Sequence, residues 1–318
     1  MVNWTVTPYL TFAEAQAAQQ AIGNGVFSTV VPFMEANKQK FALVSSNAPI
    51  PAVLTGNPLT TDLKLRVCSI PYGYDVVEGN IPNHETFSKM GFNPDVDSSE
   101  EDIWYVGGLY IWPTAEMRME IVSSSADDAA EGTGARTVRI RYLTRAFVEK
   151  SEDIALNGVT PVPTVATDIY RINWFRVLTA GSGGKAAGDL DLRHLDNTPI
   201  YSRIPAGLTR ARNAMYTVPA NKILFITQLT YSTGNSQGGR FCRFSLRSNY
   251  ENLSNTLTGN VFYPYSEIGV QDGAFTVTYD VPMKFIAGAD IKVSATGDAT
   301  NADALCSVQY RGWLEDVI

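Results

Sequence analysis

From Leu63 to the carboxyl end, the apolar residues of this chain recur at every second position, and no other feature of the sequence constrains the fold as much. In RTVRIRY, residues 136 to 142, Val138, Ile140 and Tyr142 alternate with Thr137, Arg139 and Arg141. Successive side chains of a strand point to opposite faces, so this pattern buries one face and leaves the other wet. Similar runs span Ala146 to Ala155, Ile169 to Leu178, Lys222 to Ser232, Gly239 to Ser248, Ala274 to Asp280, Asp290 to Ala295 and Ala304 to Trp313. Within Gly239 to Ser248, Cys242, Phe244 and Leu246 fall on the inward side. The dipeptide Asn157-Gly158 after the second run is a two-residue hairpin signal. Many short strands punctuated by Gly, Asn, Asp and Pro, with no helices between them, predict antiparallel sandwiches or jelly rolls and not a βαβ fold.

The first sixty-odd residues have a different texture. Thr11 followed by Glu14 is a capping-box pattern, and the Ala/Gln-rich run from Phe12 to Ile22 stops at Gly23, which predicts one short helix. The following FALVSSNAPIPAVLTGNPLTTD mixes Pro, Asn, Gly and Ser with isolated apolar residues, the composition of an extended segment. The expected chain is therefore all-β: an extended amino-terminal arm with one short helix (residues 1–62), then two tandem antiparallel β-sandwich domains, 63–195 and a jelly-roll-like 196–318. The turn-prone GSGGKAAGD of residues 181–189 precedes the second, and no fixed short repeat is present.

A chain of 318 residues has room for about two domains and a core that needs no disulfide staples. Charged residues make up only 18%, against roughly 25% in ordinary soluble proteins, so the surface is neutral and suited to meeting other protein. The net charge of −7, with scattered Lys and Arg, argues against a nucleic-acid partner, which needs clustered cations to displace counterions. Arg136, Arg139 and Arg141 read as the wet face of a strand. Cys68, Cys242 and Cys306 lie far apart and are odd in number, which points to reduced thiols. The amino terminus lacks a basic n-region and an apolar h-region, and no apolar run approaches ~18 residues. Cytosolic synthesis without membrane insertion is expected, and the sequons at Asn3 and Asn252 then carry no meaning.

The segment SSSADDAAEGTGARTVRIRYL, residues 123–143, offers acidic and glycine-rich chemistry. A phosphate loop delivers glycine amides from a strand to a helix N-terminus, with a lysine at a fixed offset. Here the glycines feed a strand and no lysine accompanies them. Asp127, Asp128 and Glu131 lack the alternate spacing of a calcium loop. The expectation is a solvated strand connector in which Gly132 and Gly134 permit positive φ. The pairs Asp95/Asp97 and Asp189/Asp191 have the chemistry of metal ligands or paired carboxylates, but Asn93-Pro94-Asp95 is equally a turn initiator. A structural role is favoured for both, less so for the second because His194 and Asp196 lie close by, and neither His194 nor His84 has a nucleophile or metal-ligand constellation beside it. Trp104, Trp112 and Trp174 sit in strand-like runs and are expected to be buried, whereas Trp4 and Trp313 near the ends suit interface contacts. No catalytic, cofactor-binding or metal-ligating residue is assigned, and no enzymatic activity is expected.

Five stretches taken in order, YGYDVVEGNIPNHETFSKMGFNPDVDSSEEDIWYVGGLYIWPTA, SSSADDAAEGTGARTVRIRYL, SEDIALNGVTPV, YRINWFRVLTAGSGG and IPAGLTRARNAMYTVPANKILFITQLTYS, resemble virion structural proteins of tailed bacteriophages over about residues 70–315. The resemblance implies a particle component, either a head decoration or minor capsid protein or a piece of neck, tail or fibre. It implies other virion proteins as partners, such as a major capsid protein, a virion location after synthesis in the bacterial host cytoplasm, and no active site to carry over. An arm that adds a strand to a neighbour suits that role, and closed cyclic symmetry favours a homotrimer. The alternative is a tail or fibre host-recognition module that binds surface polysaccharide through loops 232–239 or 123–135.

Overall fold

A computed structural model of the chain describes residues 4–9, 14, 15, 18, 27–35, 38–46, 72–235, 241–298 and 304–317. Contacts divide it into two compact units, Met1–Tyr72 and Gly73–Ile318. In the first, β1 (Trp4–Tyr9), β2 (Phe27–Glu35) and β3 (Lys38–Ser46) form an antiparallel sheet ordered β1-β3-β2. The register of β2 on β3 runs from Phe27↔Ser46 to Glu35↔Lys38. Part of the segment expected to lie extended is thus a paired sheet, hidden in the sequence by the Ser, Gln and Lys that interrupt its apolar residues. Of the helix expected over Phe12 to Ile22, Glu14, Ala15 and Ala18 are helical. Thr11, Cys68 and residues 47–71 lie outside the described residues.

The helix α1 (Tyr72–Val77), not anticipated from the sequence, leads to β4 (His84–Val96) and β5 (Glu101–Asp102). Then come β6 (Met119–Ser123), β7 (Ala135–Leu143), β8 (Glu149–Ala155), β9 (Val162–Pro163), β10 (Arg171–Ala180), β11 (Leu190–His194) and β12 (Ile200–Ile204). Further along are β13 (Tyr216–Thr217), β14 (Lys222–Asn235), β15 (Phe241–Ser248), the small ribbon β16 (Tyr250–Glu251) and β17 (Thr256–Leu257), β18 (Tyr263–Gln271), β19 (Gly273–Phe285), β20 (Asp290–Gly297) and β21 (Ala304–Asp316).

Two sheets made from the ends of this unit face each other, one ordered β4-β21-β14-β19 and the other β13-β20-β15-β18. With the ribbon and the two-residue β5, which pairs with β20 beside β13, set aside and the remaining eight strands numbered in chain order, these are 1-8-3-6 against 2-7-4-5. Between them lies one core to which both contribute, including Leu229 and Tyr231 of β14, Phe244 of β15, Phe285 of β19, Val293 of β20 and Tyr310 of β21. Fully buried side chains of this size each stabilise by roughly 1.5–3 kcal/mol. Gly312 of β21 sits where it does because a Cβ there would come within 1.7 Å of the Phe225 carbonyl oxygen.

A second, smaller sandwich is built from β6 to β12, with sheets β10-β7-β8 and β12-β11-β6-β9 around a separate core of Met119, Ile121, Val138, Ile140, Phe175 and Leu192 among others. Its strands all fall between the first and second strands of the larger sandwich. The tandem arrangement expected from the sequence is therefore replaced by nesting. β4 finds its partner in β21, more than two hundred positions away, in register from His84↔Glu315 to Val96↔Ala304. Local periodicity tells which face a strand buries but not which distant strand it joins. The chain enters and leaves the insertion side by side, with Trp104 bridged to Asn213 and the Ala214 amide donating to the Ile103 carbonyl at 2.9 Å.

Asn157-Gly158 does not close a hairpin. Of the two only Gly158 has positive φ (59°), whereas the type I′ turn needs it at both positions. β8 pairs back onto β7, and the chain crosses to the other sheet, where β9 joins β6.

Candidate functional site

The acidic loop between β6 and β7 is a structural clasp. The Asp128 side chain is fully buried and accepts from the Ser123 hydroxyl at 2.6 Å and from the amides of Ala135, Ala187 and Gly188 at 2.6, 2.8 and 2.8 Å. Its lone pairs are spent on protein donors, which ties the β6–β7 connection to the segment before β11. Asp127 and Glu131 are exposed. Among the described residues no group of three or more His, Cys, Asp or Glu is placed to hold a metal ion. Gly132 and Gly134 do not have positive φ, contrary to expectation. They are needed for closeness: a Cβ would meet the Asp127 carbonyl oxygen at 2.0 Å in the first case and the Asp128 carboxylate at 2.2 Å in the second.

The other acidic pairs are also occupied. Asp191 takes the Arg203 guanidinium through two contacts of 2.5 and 2.7 Å, and Asp189 accepts from the Ala206 amide at 2.8 Å. Asp95 and Asp97 are exposed; the Asp95 amide bonds the Asn93 side chain and the Asp97 amide bonds Glu101. His194 accepts from the Asp196 amide in a turn, and His84 lies 3.4 Å from Glu315. Trp104 is buried, Trp112 and Trp174 are half-buried, and Trp313 is half-buried and stacks on Phe225. Cys242 and Cys306, on facing sheets, are buried free thiols that both contact the Thr233 hydroxyl, at 3.4 and 3.8 Å.

The junction of the two sandwiches concentrates buried charge. Arg171 of β10 makes a bidentate pair with Asp290 of β20, both contacts 2.9 Å, and reaches the Pro113 carbonyl at 2.7 Å. Asp290 also accepts from the Thr217 hydroxyl at 2.5 Å. Burial disfavours the Arg171 cation, but Asp290 outweighs it and the net shift is upward. The Asn173 side chain bonds both the amide and the carbonyl of Thr217, at 2.9 and 2.8 Å. Nearby, Lys292 lies 2.9 Å from Asp102, whose carboxyl is raised by burial despite that cation.

Beside this junction is a cleft of about 600 Å³ lined by Lys89, Arg139, Arg141, Arg176 and Arg210, with no acidic residue in its lining. Three of these arginines stand in one row across neighbouring strands: Arg139 is opposite Arg176, and Arg176 is bridged to Arg210. Directly opposed residues of antiparallel strands project from the same face, so the row is a run of like charges. Arg139 is paired with Asp153 at 2.5 and 2.7 Å and Arg141 with Glu149 at 3.0 Å. Arg176 and Arg210 are exposed and make no ion pair among the described residues. Lys89 is 2% exposed, donates to the Asn173 carbonyl, and lies 4.5 Å from the centre of the Trp174 ring. Among the described residues it has no carboxylate partner, and burial lowers its pKa to about 7.

Sequence reasoning took Arg139 and Arg141 for a solvated strand face and passed over Lys89, Arg176 and Arg210. A signal was present in the outward arginines of two adjacent runs, Arg139 and Arg176, but only the register puts them opposite each other.

No protein-family model matches the chain, and no curated protein matches it. Chains from structures of infectious bursal disease virus are weakly similar. One from the Gx strain is 10% identical with a TM-score of 0.19, covering 79% of this chain and 83% of that one. Another, from the T13 particle, is 9% identical with a TM-score of 0.20, covering 100% of this chain and 74% of its own. Likeness at this level carries no argument about what the protein does.

Proposed function

We propose that the chain is a non-enzymatic structural protein of a tailed-phage particle, a capsid decoration or other head-associated component, with residues 1–62 as its attachment to other virion proteins. The observation that supports this reading is the order of the eight long strands, 1-8-3-6 facing 2-7-4-5, which we read as jelly-roll-like. That framework serves viral capsid proteins, and also lectins and cupins. The resemblance of residues 70–315 to phage virion proteins favours the first use. Exposed apolar side chains at one set of loops offer contact area: Leu109, Ile111 and Val261 are 57%, 60% and 54% exposed, and the stacked Trp112 and Phe262 rings, 5.7 Å apart, join the two loops that carry them.

Deletion of residues 2–40 tests attachment. The truncated chain is expected to stay soluble and β-rich by circular dichroism while failing to join particles, and a proposed homotrimer is read by sedimentation of the full chain. Normal incorporation of the truncation refutes the attachment role. Host-glycan recognition is the rival reading, and its proposed loop 123–135 is held down by the buried Asp128. Binding on a glycan array that disappears when this loop is replaced would favour that rival.

A further inference from the structure

We propose that the cleft between the two sandwiches is a binding site for a small oxyanion, a molecule bearing phosphate or clustered carboxylates, gripped by the arginine row Arg139, Arg176 and Arg210 together with Lys89. This goes beyond an assembly role and does not depend on it.

Four observations converge on the cleft. A chain of net charge −7 gathers five basic side chains and no acidic one in the lining of this cavity, with Asp153 and Glu149 pairing two of the five from outside the lining. Like charges directly opposite on neighbouring strands destabilise a sheet, yet Arg139, Arg176 and Arg210 are aligned in that way, with Asp153 the one carboxylate in the row. Among the described residues two guanidiniums, those of Arg176 and Arg210, make no ion pair, Arg176 feeling Asp153 only at longer range, and their planar forks fit carboxylate and phosphate edges. Lys89 is buried at the cleft with, among the described residues, a carbonyl and an aromatic ring as partners, a position that an incoming anion would complete. The volume of about 600 Å³ is that of a small-molecule site, and Ser151 adds a neutral hydroxyl donor to the lining.

The test is calorimetric titration of the full chain, at low ionic strength in a zwitterionic buffer, with inorganic phosphate and with citrate as separate probes. Saturable one-site binding of at least one probe is expected, and which probe binds separates phosphate from carboxylate chemistry. The double variant Arg176→Ser/Arg210→Ser, whose side chains are exposed and whose fold is checked by circular dichroism, is expected to bind at least about tenfold more weakly, the order of one lost charge-assisted contact. Arg243→Ser, an exposed arginine on β15 away from the cleft, should bind within about twofold of the parent chain. The proposal is overturned if neither probe saturates, if the double variant binds as well as the parent, or if Arg243→Ser loses as much. It is also overturned if an oligonucleotide binds while neither small anion does.

Discussion

Lys89→Met gives a quantitative test of the buried cation. An ordinary lysine titrates near 10.5, and burial brings Lys89 to about 7 in the folded chain. Because the folded pKa lies below the unfolded one, the unfolded chain holds more protons between these values and stability rises with pH across that window. Below pH 7 both states are protonated and the penalty is flat, at about 5 kcal/mol for a shift of this size. At pH 7 it is about 4 kcal/mol and at pH 9.5 about 1 kcal/mol, a change of about 3 kcal/mol. The Asn173 carbonyl and the Trp174 ring favour the cation, so this is an upper figure. Methionine keeps the unbranched stem and removes the charge. Urea unfolding of parent and variant, followed by circular dichroism from pH 7 to 9.5 without phosphate, should show the variant's relative stability falling by about 2–3 kcal/mol over that range. Taking the difference cancels other groups that titrate there, Cys242 among them, whose thiol is lowered to about 7 by its hydrogen bond to Cys306. A flat difference would refute the reasoning, since it would mean that Lys89 titrates normally.

Asp128→Asn keeps an acceptor for the Ala135 and Ala187 amides only by turning its NH2 toward the Gly188 amide, a donor–donor clash, while the Ser123 hydroxyl can reverse and accept; the expected cost is about 1–3 kcal/mol, seen as a lower melting temperature and faster proteolysis within residues 123–135. Asp290→Asn leaves the Arg171 guanidinium buried without its anion and should cost about 3–5 kcal/mol in denaturant unfolding, most of it recovered in Arg171→Met/Asp290→Leu. In a Cys68→Ser background the native protein should resist labelling by a disulfide reagent, then show two reactive thiols on unfolding, because Cys242 and Cys306 are buried; rapid native labelling would contradict that burial.

The strands were legible where one face is apolar and the other polar. Val138, Ile140 and Tyr142 of β7 are buried as their alternation requires, and so are Cys242, Phe244 and Leu246 of β15. Nesting was not legible, because the pairing of β4 with β21 is a long-range choice to which no local pattern is sensitive. β2 and β3 were missed because polar residues break their periodicity, and Asn157-Gly158 misled because turn chemistry permits a hairpin without supplying a partner strand. Of the chemistry, the clasp at Asp128 was visible only as an acidic loop. The arginine row was invisible as a row, since Arg139, Arg176 and Arg210 share no spacing and meet only through sheet register.

Nesting also dictates a timetable for synthesis. The strands of the inner sandwich, β6 to β12, leave the ribosome consecutively and can close their core as soon as Ile204 has emerged. β4 was made earlier but has no partner until Ala304–Asp316 appears at the far end, so its inward side, Phe87 included, waits uncovered through the interval. A stalled or truncated chain ending before residue 304 would therefore be a folded inner module flanked by an unfinished outer one, with the aggregation risk confined to the latter.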